Sequence, residues 1–368
     1  MNIENNGDKS TVIALYLPQF HPFKENDEWW GKGYTEWISV ARAKKLFPGH
    51  EQPKLPGELG FYDLRLPQTR EAQADMAREY GIDGFCYYYY RLNKNMTLMD
   101  LPLKEVHSSG KPDFPFMICW ANHDWEAKAW NSYDKYQSKM LAKQEYGDDK
   151  DIEDYFYELL PYFKDERYMK EGNRPLFMVY RPLDVANPRN FISIWNRLAK
   201  ENGFAGIYFM GFTHESQLQK DDIFANGFET MVSCRMHALR HNHSQVKRYI
   251  GAAVRRIFRL PYVAQYKDVI KDLVSDEAKQ ENIVPVIMPN WDHSPRTGRY
   301  TLLWTNCTPQ LFKKHVQMVY DKIKDKKNKI VFVKSWNEWG EGNYLEPDRK
   351  WQRAFLEAFL SVRKENEL

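Results

Sequence analysis

Eight short runs of nearly unbroken apolar, β-branched or aromatic residues recur along the chain. They constrain its fold more than any other feature. They are "TVIALYL" (11–17), "IDGFCYYYY" (82–90), "FPFMICW" (114–120), "PLFMVYR" (175–181), "GIYFMGF" (206–212), "ETMVSC" (229–234), "VPVIMP" (284–289) and "KIVFV" (330–334). None alternates apolar with polar as a half-solvated strand would, so each reads as a strand covered on both faces. Longer amphipathic segments separate most of them. "PQTREAQADMAREYG" (67–81) opens on Pro and closes on Gly, a helix start and stop. Residues 148–163, 187–203, 308–325 and 348–365 read the same way. The alternation predicts an α/β fold, a single (β/α)8 barrel of the TIM type with long βα loops, over 11–368 behind a disordered polar tail at 1–10. A doubly wound open sheet is the runner-up. It would need a glycine-rich phosphate turn after the first strand, where "LPQFHP" stands instead.

Lys and Arg number 53 against 50 Asp and Glu, for a net charge of +3. That balance argues against a nucleic-acid binder. The N-terminal "MNIENNGDKS" has no apolar core of a signal peptide and no run is long enough to span a membrane, so a cytoplasmic location is expected. The four cysteines are scattered, and Cys86 and Cys119 read as small buried hydrophobes rather than disulfide or metal partners. Aromatic residues reach 15%. They fill cores first, but flat rings beside hydrogen-bonding groups also suit sugars.

Chemistry in such a barrel gathers at the C-terminal ends of the strands. Tyr16, Gln19 and His21 close the first run, and Tyr88 and Tyr90 the second. Trp120, Asn122, His123 and Asp124 follow the third, Tyr180 and Arg181 the fourth, and His237 the sixth. Trp291 and Asp292 follow the seventh, Trp336 and Asn337 the eighth. The long, weakly periodic stretch 21–66 carries Trp30, Glu36 and Trp37 and is expected to wall or cover the site. Polar and aromatic residues on one face describe a cleft for a neutral, polyhydroxylated ligand.

The eighth run leads into "SWNEWGEGNYLEPD", where Glu338 and Glu341 stand three positions apart. On a turn or short helix such residues share a face, and neighbouring carboxylates resist double ionisation, leaving one acid and one base. Glycosidic cleavage requires that pair, at about 5–5.5 Å for retention of configuration and roughly 6.5–9.5 Å for inversion. The plainer alternative is a structural ion pair with Lys334 or Arg349. "HALRHNHS" offers His237, His241 and His243, but with no acidic ligand nearby and many positive charges around it; no metal or other cofactor is expected. No GxSxG elbow supports a serine nucleophile.

"ALYLPQFHPFKENDEWWGKGYTEW", "YGIDGFCYYYY", "DFPFMICWAN", "NRPLFMVYRP", "VIMPNWDHSPR" and "SWNEWGEGNYLEPD" together resemble the WbsX group over about residues 11–360. That group is the glycoside hydrolase family 99-like domain found with bacterial O-antigen, capsule and lipopolysaccharide biosynthesis enzymes. The resemblance implies a barrel related to the endo-α-mannosidases of family 99, which are retaining and need no metal. It also implies their roles. Glu338 would take the proton of the sugar's own 2-hydroxyl to give a 1,2-anhydro intermediate, and Glu341 would protonate the leaving group and then activate water. The third-strand motif departs from the group's Trp-Ala-Asn-Glu-Asn-Trp by carrying His123 and Asp124, and Arg235 stands where an acidic motif is usual. Both changes imply a less acidic cleft and a substrate with negative charge, such as a uronic acid or a phosphate-linked sugar.

Three functions compete at this level. One is a retaining glycoside hydrolase acting on a bacterial surface polysaccharide or its precursor. The second is a glycosyltransferase or transglycosylase, and the third a non-catalytic glycan-binding barrel. The stretch 235–266 holds seven Arg or Lys and no acid, so it reads either as a solvated helix or as a segment lying on an anionic membrane beside lipid-linked glycans.

Overall fold

A computed structural model describes residues 9–128, 138–236 and 260–367. Eight parallel strands close on themselves: β1 (Thr11–Tyr16), β2 (Gly84–Asn93), β3 (Phe116–Trp120), β4 (Arg174–Val179), β5 (Tyr208–Thr213), β6 (Thr230–Ser233), β7 (Ile283–Ile287) and β8 (Ile330–Val333). Each pairs with its sequence neighbour. The ring shuts where β1 takes β8 on one edge, Ala14 beside Val333, and β2 on the other, Ala14 beside Phe85. All eight apolar runs are therefore barrel strands, and the open sheet is excluded.

The helices fall where their termini announce them. Helices α1 (Lys24–Trp30) and α2 (Glu36–Arg42) lie in the long segment after β1, which is more ordered than its weak periodicity implied. Then come α3 (Pro67–Glu79), α4 (Leu101–Ser109), α5 (Asp149–Lys164), α6 (Pro188–Glu201) and α7 (Ser216–Ala225). The series ends with α8 (Tyr266–Leu273), α9 (Ser294–Thr297), α10 (Pro309–Ile323) and α11 (Ala354–Asn366). Asp148 and Asp151 form a reciprocal capping box on α5, and Asn187 and Thr308 cap α6 and α10 just ahead of a first-turn proline. The last helix starts six residues later than expected. Asp348 Oδ1 accepts from the Trp351 amide and spends residues 348–353 on a turn. Ser10 is not part of a loose tail: its hydroxyl meets Tyr320 Oη at 2.9 Å and its amide donates to Glu367 at 3.0 Å. Residues 1–8 lie outside the described residues.

Much of the aromatic content fills the layer between barrel and helices. Trp195 of α6 is fully buried, 4.6 Å from the rings of both Phe177 and Phe191. A cavity there would cost about 3–5 kcal/mol. Alternation along β2 then sorts the tyrosines. Tyr87 and Tyr89 face outward, Tyr89 stacking near Tyr155 of α5, whereas Tyr88 and Tyr90 face the barrel mouth.

Candidate active site

The loop after β8 is pinned before it carries anything. Asn337 and Glu338 pair antiparallel with Tyr344 and Asn343, and one 3₁₀ turn, Trp339–Glu341, closes between them. Side chains at i and i+3 eclipse in such a turn, so Glu338 and Glu341 project together. The Asn337 amide clamps the loop to the end of β1, accepting from Leu17 N at 2.8 Å and donating to Leu17 O at 3.0 Å. Gly340 sits between the two glutamates because nothing larger fits: a Cβ there would fall on Glu36 Oε1 and lie 2.8 Å from Arg296 Nε.

Arg296 of α9 organises the charges. Its Nε and Nη2 donate to the two oxygens of the fully buried Glu36 at 2.9 and 3.2 Å. Its Nη1 donates to Glu338 at 3.1 Å and to Glu341 at 2.7 Å. The two carboxylate oxygens sharing that nitrogen thus lie within about 6 Å of each other, a close pair. Lys334 completes the cluster at 3.6 Å from both glutamates, between the rings of Trp291 and Tyr88 at 5.5 and 6.0 Å. His293 Nε2 stands 3.6 Å from Glu341. Burial, then the Glu341 charge, push the Glu338 carboxyl above its ordinary range, against Lys334 and Arg296. The Glu338 and Glu341 charges hold Lys334 protonated, although burial alone would favour the neutral amine.

These groups line a cleft of about 520 Å³ at the barrel mouth. Gln19, Trp30, Tyr34, Tyr88, Tyr90, Asn122, His123, Asp124, Tyr180 and Arg181 line it too. The Asn122 amide is already engaged across β3 and β4, with Arg181 N and O each at 2.8 Å. Tyr180 Oη meets His214 Nε2 at 2.9 Å. Among the described lining residues, Glu36, Asp124, Glu126, Asp184, Glu338 and Glu341 outnumber Lys143, Arg181, Arg296 and Lys334. Carboxylates therefore outnumber cations in the cleft, although its third-strand motif carries His123 where the family has a carboxylate.

Several expected contacts lie elsewhere. Tyr16 points out of the barrel and donates to Gln73 of α3 at 2.6 Å. Trp120 packs outward against Tyr155 and Phe191, its indole N–H donating to Arg91 O. Trp336 is fully buried against Phe85. Trp37 is spent on Phe20 and Tyr62. His21 is buried, and desolvation lowers its imidazole to about 4. Trp291 meets the site through Lys334 and through His293, whose ring it stacks on at 5.9 Å. Asp292 braces the loop from behind. Its amide donates to Glu341 O at 2.7 Å, and its carboxylate accepts from His50 and Gln52 at 2.9 and 2.7 Å. Burial would raise that carboxyl, but His50, the Lys54 charge and the Ser294 bond hold it at about 2. His237, His241 and His243 lie outside the described residues, as does most of the basic stretch. Arg349 stays away from the carboxylates, whereas Lys334 bridges them.

The chain is thus a closed (β/α)8 barrel with a carboxylate cluster and ring faces at the C-terminal mouth, where such barrels keep their sites. The chain belongs to the WbsX glycosyltransferase family, whose model, "Glycosyltransferase WbsX", matches residues 12–359. The uncharacterized protein WxcX of Xanthomonas campestris pv. campestris is 32% identical over 358 residues, covering 95% of this chain and 49% of WxcX. The chain spans about half the length of the curated relatives it matches. Among solved structures, a glycoside hydrolase-like protein superposes with a TM-score of 0.61 at 13% identity, over 100% of this chain and 96% of that one. The GH99 endo-α-mannosidase of Bacteroides thetaiotaomicron follows at 0.58 and 11%, over 96% of each chain. These likenesses share the barrel fold expected from the sequence. Among the described residues, no helix is long and apolar enough to cross a membrane.

Proposed function

We propose that the protein is a retaining glycoside hydrolase acting on a bacterial surface polysaccharide or its precursor, with Glu338 and Glu341 as its catalytic pair. One observation carries this reading: both carboxylates face the same cleft and share one Arg296 nitrogen, at 3.1 and 2.7 Å. Their closeness supports retention.

In the route the family resemblance implies, Glu338 takes the proton of the sugar's 2-hydroxyl and that oxygen attacks the anomeric carbon. The glycosidic C–O bond breaks as Glu341 gives its proton to the leaving oxygen. Glu341 then takes a proton from water, the water oxygen attacks the anomeric carbon, the three-membered ring opens, and Glu338 returns its proton to O2. Burial and the Glu341 charge favour the protonated form of Glu338, and Lys334 and Arg296, which pull the other way, are what would keep it ionised as the base. Arg296 and Lys334 each touch both carboxylates and hold the pair in register while protons move. Ring faces at Tyr88, Tyr90 and Trp30 supply C–H contacts for the sugar.

The family's name favours a second reading, in which another sugar replaces water as acceptor. Mass-spectrometric product analysis separates the two, using bacterial surface oligosaccharides with and without nucleotide sugars, wild type beside Glu341→Gln. Cleavage without a nucleotide sugar, lost in the variant, is the expected result. Chain extension only in the presence of a nucleotide sugar would overturn the hydrolase reading.

A further inference from the structure

The cleft does not end at Arg296. On the other side of that side chain a second cavity of about 810 Å³ opens, with Trp30, Tyr34 and Arg296 as a wall common to both. Helix α2, the residues just after it and the segment 294–300 build its sides. Its volume is within the range of small-ligand sites, about 300–1,000 Å³.

The two cavities differ in charge. Carboxylates outnumber cations in the cleft. The second cavity is lined by Lys32, Arg42, Lys44, Arg296 and Arg299, with no Asp or Glu among the described lining residues. Lys32 and Arg42 are exposed, and neither makes an ion pair among the described residues. Cations gathered around an opening with no lining acid give it a positive field, which attracts an anion. Tyr300, 48% exposed, adds a ring face at the rim, and Trp30 offers another at the junction. Cations arranged around ring faces, open to a sugar cleft, match a sugar unit that carries a negative group.

We propose that this cavity is a subsite for an anionic unit of the glycan whose neutral part occupies the cleft, the anion being a sugar carboxylate or a phosphate. The inference rests on the carbohydrate reading of the cleft. It also moves the acidic-substrate expectation to a new place. The negative charge is received beside the carboxylate cluster, across Arg296, and not within it.

Equilibrium titration calorimetry on the non-cleaving Glu341→Gln chain tests it with three matched oligosaccharides: neutral, uronate-bearing and phosphate-bearing. At least one acidic form is expected to bind about tenfold tighter than the neutral one, with the advantage shrinking as salt rises. Which acidic form wins identifies the anion. The exposed pair Lys32→Glu and Arg42→Glu, with unchanged thermal melting as its folding control, is expected to erase the preference. Equal binding of all three, or a preference that survives the double substitution, would overturn the proposal. So would a free nucleoside diphosphate that binds and is lost with the same double substitution, since that makes the cavity a donor site. Wild-type cleavage, measured separately, distinguishes the two claims. Charge-selective binding without cleavage would fail the hydrolase reading alone, and cleavage with charge-blind binding would fail this one alone.

Discussion

Glu338, Glu341 and Glu346 sit on one loop, and the fold treats them in opposite ways. Glu338 and Glu341 face a cleft and share two cations, Arg296 and Lys334. Glu346 faces inward and has neutral donors around it: Gln73 Nε2 at 2.6 Å, Trp339 Nε1 at 2.7 Å and Tyr62 Oη at 2.8 Å. Tyr16 extends the chain through Gln73. The carboxylates that change charge in the proposed reaction are met by two cations. The carboxylate that holds the loop in place is met by neutral donors from its own loop, from α3 and from the loop at Tyr62. The difference teaches that burial alone does not mark a reactive group; the kind of partner does.

The largest break of this comparison is Glu341→Gln. It is expected to lower kcat/KM by about 10²–10⁴, the usual worth of a positioned acid–base, with melting shifted by only a few degrees. Activity near wild type would erase the distinction between the two carboxylate sets. Gly340→Ala comes next. Its Cβ would displace Glu36 and with it the Arg296 fork, so kcat/KM is expected to drop by about 10²-fold. Steady-state kinetics beside a melting curve shows whether the loss is one of geometry.

Glu346→Gln sharpens the other half. Burial pushes the Glu346 carboxyl from its ordinary 4.5 to about 7 against its donors. The folded state therefore holds the proton more tightly than the unfolded one. That contribution is complete below about 4.5 and lost as pH rises through about 7, about 3 kcal/mol in all. Denaturant melts from pH 4 to 8 are expected to show this fall in the wild type and not in the variant, which compares least favourably at low pH. Its kcat/KM should fall less than about tenfold, because Asn337 and the strand pair still hold the loop. Tyr16→Phe is the smallest. Losing one buried hydroxyl costs about 1 kcal/mol, with turnover unchanged since the ring faces away from the cleft.

The barrel was legible because parallel strands buried on both faces leave continuous apolar runs, and the first turn lacks the glycine-rich loop that a doubly wound sheet would want. Glu338 and Glu341 were legible because their spacing matches one 3₁₀ turn. Facing was not legible. In "YYYY" (87–90) every position is a tyrosine, so only the register of β2 tells that Tyr88 and Tyr90 look into the mouth while Tyr87 and Tyr89 look out. Tyr16, Trp120 and Trp336 were misplaced for the same reason, since side chains of either parity end a strand. Arg296 left no local mark. It lies far from both carboxylates in sequence, 42 residues from Glu338 and 45 from Glu341, and an arginine on a four-residue helix is ordinary until the fold brings them together. The glycine between the glutamates was the available hint, since Gly340 and Gly342 flanking Glu341 signal close approach by a neighbour.

The most direct test of the account is proton NMR of the first sugar released from a cleaved oligosaccharide, recorded before mutarotation. Retained anomeric configuration, absent in Glu341→Gln, is the result predicted for a close carboxylate pair acting through an intermediate. An inverted first product would contradict it, because water would then have attacked directly across a gap that the Arg296-bridged pair does not leave.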